Sequence, residues 1–298
     1  MGGFRVGFVS GVSAGARGLP DPRLRALVRG YEGYLLRGFA PGTHVGMPGT
    51  DLTVIITIDE PIEIPVSPQP GQGAGSWEAI ASGLTVRPCT IAHRGYQHGI
   101  QLAVTPLGAR VLLGAPVAAL GSWIIDLGDL LGADARELRE RVSATDDWAA
   151  RFAILDEILL RRTTDTVLDP NLRRAWQLLT AGSGQARVAE VAHEIGWSRK
   201  HLGTRFQAEF GITPKAAARL ARFQASHRLL RSVVGGPDAQ RLDMPIAAVA
   251  AAVGYYDQAH MAREWRELAG MPPSTWLARE QFPFVQEAAD LILEGSST

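Results

Sequence analysis

The sequence predicts an α+β chain in two parts, a β-rich N-terminal part and an all-α C-terminal part. Three observations carry this. Residues 1–120 are rich in Gly, Pro and β-branched residues, the composition of short strands joined by turns. From Ser122 onward apolar residues recur at spacings of three and four, the period of a helix with one buried stripe. Near the C-terminal end, two segments repeat each other at an offset of 58 residues, and a repeated unit fixes architecture more firmly than composition does.

The chain has 298 residues, enough for two modest domains. No run of about 18 apolar residues is present, so no membrane span is expected. The first residues, MGGFRVGFVSGVSAGARGLP, lack a basic stretch ahead of the apolar one, and Arg5 interrupts it, so no secretory signal is expected. Cys89 is the single cysteine; an intramolecular disulfide is excluded and a cysteine-based zinc site disfavoured. A cytoplasmic protein fits these features. The net charge of zero hides an asymmetry. Residues 167–282 hold 15 Lys+Arg against 10 Asp+Glu, a net of +5, and the rest hold 15 against 20, a net of −5. A basic C-terminal part on an acidic partner suits nucleic-acid binding by one part only.

LTVIITI at residues 52–58 reads as a buried strand, and GLTVRP (83–88), GIQLAV (99–104) and RVLLG (110–114) as further strands. APGTH, MPGTD, PQPGQGAG and TPLG separate them as turns. Together they predict a sheet or barrel. Residues 24–36 have helical spacing. Residues 121–165 follow with Leu127, Leu130 and Leu131, then Leu138 and Val142, then Trp148, Phe152, Leu155 and Leu159, which predict two or three helices. TTDTVLDP at 163–170 is polar and ends on a helix-start signal. The expected division is therefore residues 1–165 (β-rich to 120, helical over 121–165), residues 166–282 as a helical domain, and 283–298 as a tail. A last short helix is expected over 287–294, with GSST frayed.

The repeat aligns VAEVAHEIGWSRKHLGTRFQAEFGITP, from Val188, with IAAVAAAVGYYDQAHMAREWRELAGMPP, from Ile246. Val188, Val191, Ala192, Ile195 and Gly196 match Ile246, Val249, Ala250, Val253 and Gly254 at an offset of 58. One extra residue then enters the turn. Ser198, His201, Leu202, Phe206, Gly211 and Pro214 match Asp257, His260, Met261, Trp265, Gly270 and Pro273 at 59. Each unit reads as helix, glycine turn, N-cap and second helix. Gly followed by Pro ends it. This is a helix-turn-helix, whose second helix presents its N-terminal part to base edges in the major groove. The positions left over from packing are Arg199, Lys200, Gly203 and Thr204 in the first unit, and Gln258, Ala259, His260 and Arg263 in the second. Gln suits adenine and Arg suits guanine, each through two hydrogen bonds. His201 and His260 are candidates both for reading and for packing. Arg205, Arg219 and Arg222 read as phosphate contacts or as solvated helix faces. Two units joined by a helix through residues 216–232 fit two major-groove turns on one face of duplex DNA, roughly 34 Å apart.

GYYDQAHMAREWRELAGMPPSTW at 254–276 resembles the C-terminal signature of the AraC/XylS family of bacterial transcriptional regulators, and the resemblance extends over residues 170–280. It implies a sequence-specific DNA-binding regulator, with double-stranded DNA as partner and RNA polymerase as a second partner if genes are activated. It places Lys200 and Thr204 on base-reading positions of the first recognition helix, and Gln258, His260 and Arg263 on those of the second. Gly203 stands where the family often has a contacting side chain. HRGYQHGIQLAVTPLGARVLLG (93–114) and DDWAARFAILDEILLRR (146–162) resemble a sensor domain of some actinobacterial members. That implies a cupin-like β-barrel with a helical, dimerising segment, but no known effector; the N-terminal part is expected to sense a small-molecule effector, to dimerise, or both.

No other motif competes. GVSAG at 11–15 matches the G-x-S-x-G nucleophile elbow, which needs a strand before it and a helix after it; Pro20 and Pro22 oppose that helix. His44, His93 and His98 lack metal-ligand spacing. GQGAG at 71–75 lies in a Pro-rich loop, away from any strand-to-helix junction. Trp77, Tyr96 and Trp123 read as core or as the lining of an effector pocket. No catalytic residue, cofactor or metal is expected.

Overall fold

A computed structural model describes residues 11–234 and 244–279. Among the described residues, ten strands lie between residues 11 and 126: β1 (Val12–Gly18), β2 (Val28–Arg37), β3 (Gly42–Gly46), β4 (Leu52–Thr57), β5 (Ile62–Val66), β6 (Gly75–Trp77), β7 (Ala79–Ser82), β8 (Cys89–His93), β9 (Gln97–Val104) and β10 (Ile124–Asp126). They form two antiparallel sheets, in the orders β1-β2-β9-β4-β7-β10 and β3-β8-β5-β6. The sheets face each other through isoleucines: Ile55, Ile80 and Ile124 from the larger, Ile62, Ile64 and Ile91 from the smaller. Leu52, Val54 and Ile56 point the other way, into a second core that includes Leu138, Val142, Leu155 and Ile158. LTVIIT is apolar without alternation because both of its faces are buried. The expected β-rich part is present as two facing sheets, to which a cupin-like barrel is an approximation; the described strands do not close into one barrel.

Among the described residues, twelve α-helices follow or interleave: α1 (Pro106–Leu113), α2 (Val117–Leu120), α3 (Leu127–Leu131), α4 (Ala133–Ser143), α5 (Trp148–Arg161), α6 (Pro170–Thr180), α7 (Val188–Glu194), α8 (Arg199–Phe210), α9 (Pro214–Val234), α10 (Ile246–Ala252), α11 (Gln258–Ala269) and α12 (Pro273–Arg279). None among the described residues is long and apolar enough to cross a membrane.

Four local expectations are corrected. Residues 24–36 form a turn and then β2, not a helix. A register shift between Val28 and Tyr31 sends both residues into the core three apart, so a β-bulge imitates helical spacing. RVLLG is the body of α1, not a strand. The Thr105 hydroxyl accepts from the Gly108 amide, Pro106 occupies the first turn, and Gly114 closes the helix in the left-handed region; TPLG is thus a helix start. GLTVRP is a loop between β7 and β8, and β10 lies inside the stretch expected to be helical. Ser13 sits mid-strand in β1, paired with Leu36 of β2, so GVSAG is no elbow. The helix expected over 287–294 and the GSST end lie outside the described residues.

The two parts share one apolar core and three polar or steric ties. Arg110 of α1 holds Glu209 of α8 with Nε and Nη2 on the two carboxylate oxygens, at 2.7 and 2.5 Å. Thr50 donates its amide (3.2 Å) and hydroxyl (2.8 Å) to Gln224 Oε1 of α9. Gly211, ending α8, lies against Ala118 of α2, and a Cβ there would sit 3.2 Å from the Ala118 Cα.

Candidate nucleic-acid interface

In the first unit, Val191 and Ala192 of α7 and Leu202, Phe206 and Phe210 of α8 are buried. In the second, Val249 and Ala250 of α10 and Met261, Trp265 and Ala269 of α11 are buried at the matching positions. The turns match bond for bond. Ile195 and Val253 donate to the carbonyls of Val191 and Val249, both at 3.2 Å. Gly196 (φ 73°) and Gly254 (φ 84°) occupy the left-handed region, where a side chain is disfavoured. Trp197 and Tyr255 then donate back to Ala192 and Ala250 at 2.8 and 2.9 Å. Ser198 Oγ accepts from the His201 amide (3.1 Å), and Asp257 Oδ1 from the His260 amide (2.6 Å). α8 and α11 have 12 residues each and end on Gly211 and Gly270, both left-handed. Pro214 and Pro273 then start α9 and α12.

The bonds also locate the extra residue. Trp197 and Tyr255 are equivalent, and so are the caps Ser198 and Asp257. Tyr256 therefore has no counterpart in the first unit.

Aromatic packing ties both units to their surroundings. Trp176 of α6 stacks on Phe206 at 5.7 Å and touches Phe210 at 4.6 Å. Trp265 donates to Ser226 Oγ of α9 at 2.9 Å and packs on Phe223 and Trp276. Trp197 and Tyr255 pack on the core, as expected for turn aromatics.

Arg199, Lys200, Thr204, Gln258 and Arg263 are all exposed. The side chains of Arg199, Lys200, Gln258 and Arg263 make no hydrogen bond or ion pair among the described residues. The Thr204 hydroxyl donates to the Lys200 carbonyl at 3.1 Å. A Cβ at Gly203 would meet nothing within 4 Å. His260 leans on its own turn: Nδ1 accepts from the Tyr256 amide at 3.4 Å, and the ring meets Tyr255 edge-on at 5.3 Å. His201 likewise meets Trp197 edge-on at 4.6 Å. Arg205, Arg219 and Arg222 each have a partner within the protein. Arg205 reaches Asp169 at 3.5 Å. Arg219 pairs with Glu264 at 2.9 Å and with Glu267. Arg222 donates to the Gly184 carbonyl and lies over the Tyr255 ring. Sequence reasoning missed Tyr256, Glu209 and Glu264. The inserted residue was visible as the change of offset; the two carboxylates carried no sequence signal.

In the N-terminal part, a cleft between the sheets is lined by Met47, Ile55, Ile64, Ile80, Ile91 and Ile124, with Asp51 and Arg87 also on its walls. The rings of His44 and His93 lie 5.8 Å apart on neighbouring strands. Burial, helped by the nearby His93, pushes His44 down to about 3. His98 and Tyr96 both bond Asp59, His98 at 2.7 Å.

Residues 191–279 match the family model described as a helix-turn-helix domain. No curated protein matches the chain. Among solved structures, an apo variant of ToxT from Vibrio cholerae is 11% identical and aligns over 83% of this chain and 97% of its own, with a TM-score of 0.50. That likeness is one of overall fold. The C-terminal domain of AraT, a response regulator from Geobacillus stearothermophilus, is 22% identical over 41% of this chain and 96% of its own, at a TM-score of 0.34. An AraC-type regulator from Chromobacterium violaceum is 21% identical over 39% and 96%, at 0.32.

Proposed function

We propose, from the match of residues 191–279 to a helix-turn-helix domain model and the resemblance of residues 170–280 to AraC-type regulators, that this chain is a DNA-binding transcription regulator that reads two successive major-groove turns of one duplex through α8 and α11. One observation carries the reading: two bond-for-bond equivalent turns launch two helices of equal length, each with unpaired polar side chains facing outward. Arg199, Lys200 and Thr204 read from the first, and Gln258, His260 and Arg263 from the second. Arg263 is the principal base contact, an exposed guanidinium without a partner among the described residues that matches the acceptor pair of guanine. A gel shift with the full chain on DNA upstream of its own gene, at modest salt, tests this. A discrete complex resistant to nonspecific competitor is expected; equal binding to any duplex, or none, contradicts it.

The N-terminal part, residues 1–165, then modulates the DNA-binding domain by taking a small-molecule effector, by dimerising, or both. The cleft between the sheets supports this, because Met47, Gly49 and Asp51 on its wall belong to the loop whose Thr50 grips Gln224. Gln224 lies on α9, which joins the two units. A ligand that displaced this loop would alter how the units are presented, which is coupling through a shared element. Thr50→Val removes the hydroxyl's bond to Gln224 at little cost in volume. A changed DNA affinity with an unchanged melting profile is the expected result, and an unchanged affinity counts against this route.

A further inference from the structure

The residue added to the second turn, Tyr256, is 92% exposed, whereas its neighbour Tyr255 is 4% exposed and packs on the core. The first unit closes the same turn without such a residue, so folding does not require it. Its backbone is anchored on both sides: the Tyr255 amide is bonded to Ala250, the Tyr256 amide to His260, and Asp257 caps α11. The ring therefore projects from a defined place, one residue ahead of the cap of the second recognition helix. The N-terminal part of such a helix faces base edges. A residue just before its cap borders the groove, beside the sugar–phosphate backbone. A phenol suits that place, donating its O–H to a phosphate oxygen while the ring covers a deoxyribose.

From this geometry we infer that Tyr256 is a DNA-backbone contact of the second unit, with its hydroxyl on a phosphate and its ring on the adjoining sugar. The inference rests on the DNA-binding reading above and extends the interface beyond the six residues named there. The contact is uncharged. It strengthens binding to all sequences alike and releases no counterion.

The test compares full-length wild type, Tyr256→Ala, Tyr256→Phe and Arg263→Ala on a site selected from random duplexes and on a scrambled duplex, over a salt series. Tyr256→Ala is expected to weaken both duplexes by a similar factor, about 3- to 10-fold, the scale of one hydrogen bond with its packing. Tyr256→Phe is expected to fall between it and wild type. The slope of log affinity against log salt is expected to stay put, since it counts neutralised phosphates, and the melting temperature with it. Wild-type affinity in Tyr256→Ala, alongside lost sequence preference in Arg263→Ala, overturns the contact and leaves the DNA reading intact. A Tyr256→Ala loss confined to the selected site makes the residue a base reader and also overturns it. Full affinity in Tyr256→Phe overturns the phosphate bond. Absence of binding by wild type to every duplex overturns the DNA reading itself.

Discussion

The two helix-turn-helix units share a scaffold and differ in what their carboxylates and surfaces do. Glu209 of α8 and Glu264 of α11 are both buried, at positions the repeat does not align. Glu209 fastens the first unit to the N-terminal part through Arg110. Glu264 fastens the second to α9 through Arg219. The outward faces diverge too. The first unit has a bare Gly203 and a Thr204 hydroxyl already bonded within its helix. The second has an exposed Arg263 and the added, exposed Tyr256. The duplication kept the caps, the left-handed glycines and the core, where a change costs stability. It diverged on the exposed faces of α8 and α11. The first unit is therefore the one fastened to the N-terminal part by an ion pair, and we propose the second as the stronger reader.

The largest effect should come from the shared scaffold. Phe206→Ala and Trp265→Ala each empty a fully buried ring site and should each lose about 3–5 kcal/mol in denaturant titration. A small loss for one alone would break the equivalence of the cores. Next is Arg263→Ala, which should cost about 1–3 kcal/mol on a selected site and relax preference at one base pair, measured by anisotropy on single-substituted duplexes. A loss equal on every sequence would make Arg263 a phosphate contact. A third change should spare both units. His44 is held neutral in the fold, so below its unfolded value of about 6.5 the unfolded chain binds the extra proton. Its contribution is full above that value and falls as pH drops toward about 3. Between pH 7.5 and 5 that amounts to about 2 kcal/mol, which His44→Gln should largely abolish from the pH profile. An unchanged profile would show that His44 is already protonated or exposed. The smallest effect is Gly203→Ala, into open space on a helix, which should raise stability by about 0.5–1 kcal/mol. A destabilised variant would mean that the α8 face is covered.

The C-terminal half was legible because its signals are local and doubled. Each cap, glycine and apolar stripe in one unit checked its counterpart in the other. The N-terminal half was legible in composition only. The bulge at Val28 and Tyr31 imitated a helix, and Thr105-Pro106 read as a turn when it starts one. Both are settled by long-range pairing or by a cap bond that spacing does not encode. Arg219 and Arg222 read as outward charges, but their partners lie about 40 residues away along the chain, on α11 and on the loop at Gly184. Exposed Arg263 and paired Arg219 look alike in sequence. Only tertiary packing separates them.

The most direct test of the central claim is a methylation-protection footprint of the full chain on a selected site, with Arg263→Ala run beside it. Two patches of major-groove protection on one face are expected, centred about 10 base pairs apart, with the second weakened by Arg263→Ala and the first retained. A single patch, or two patches lost together in the variant, would contradict two units reading unequally.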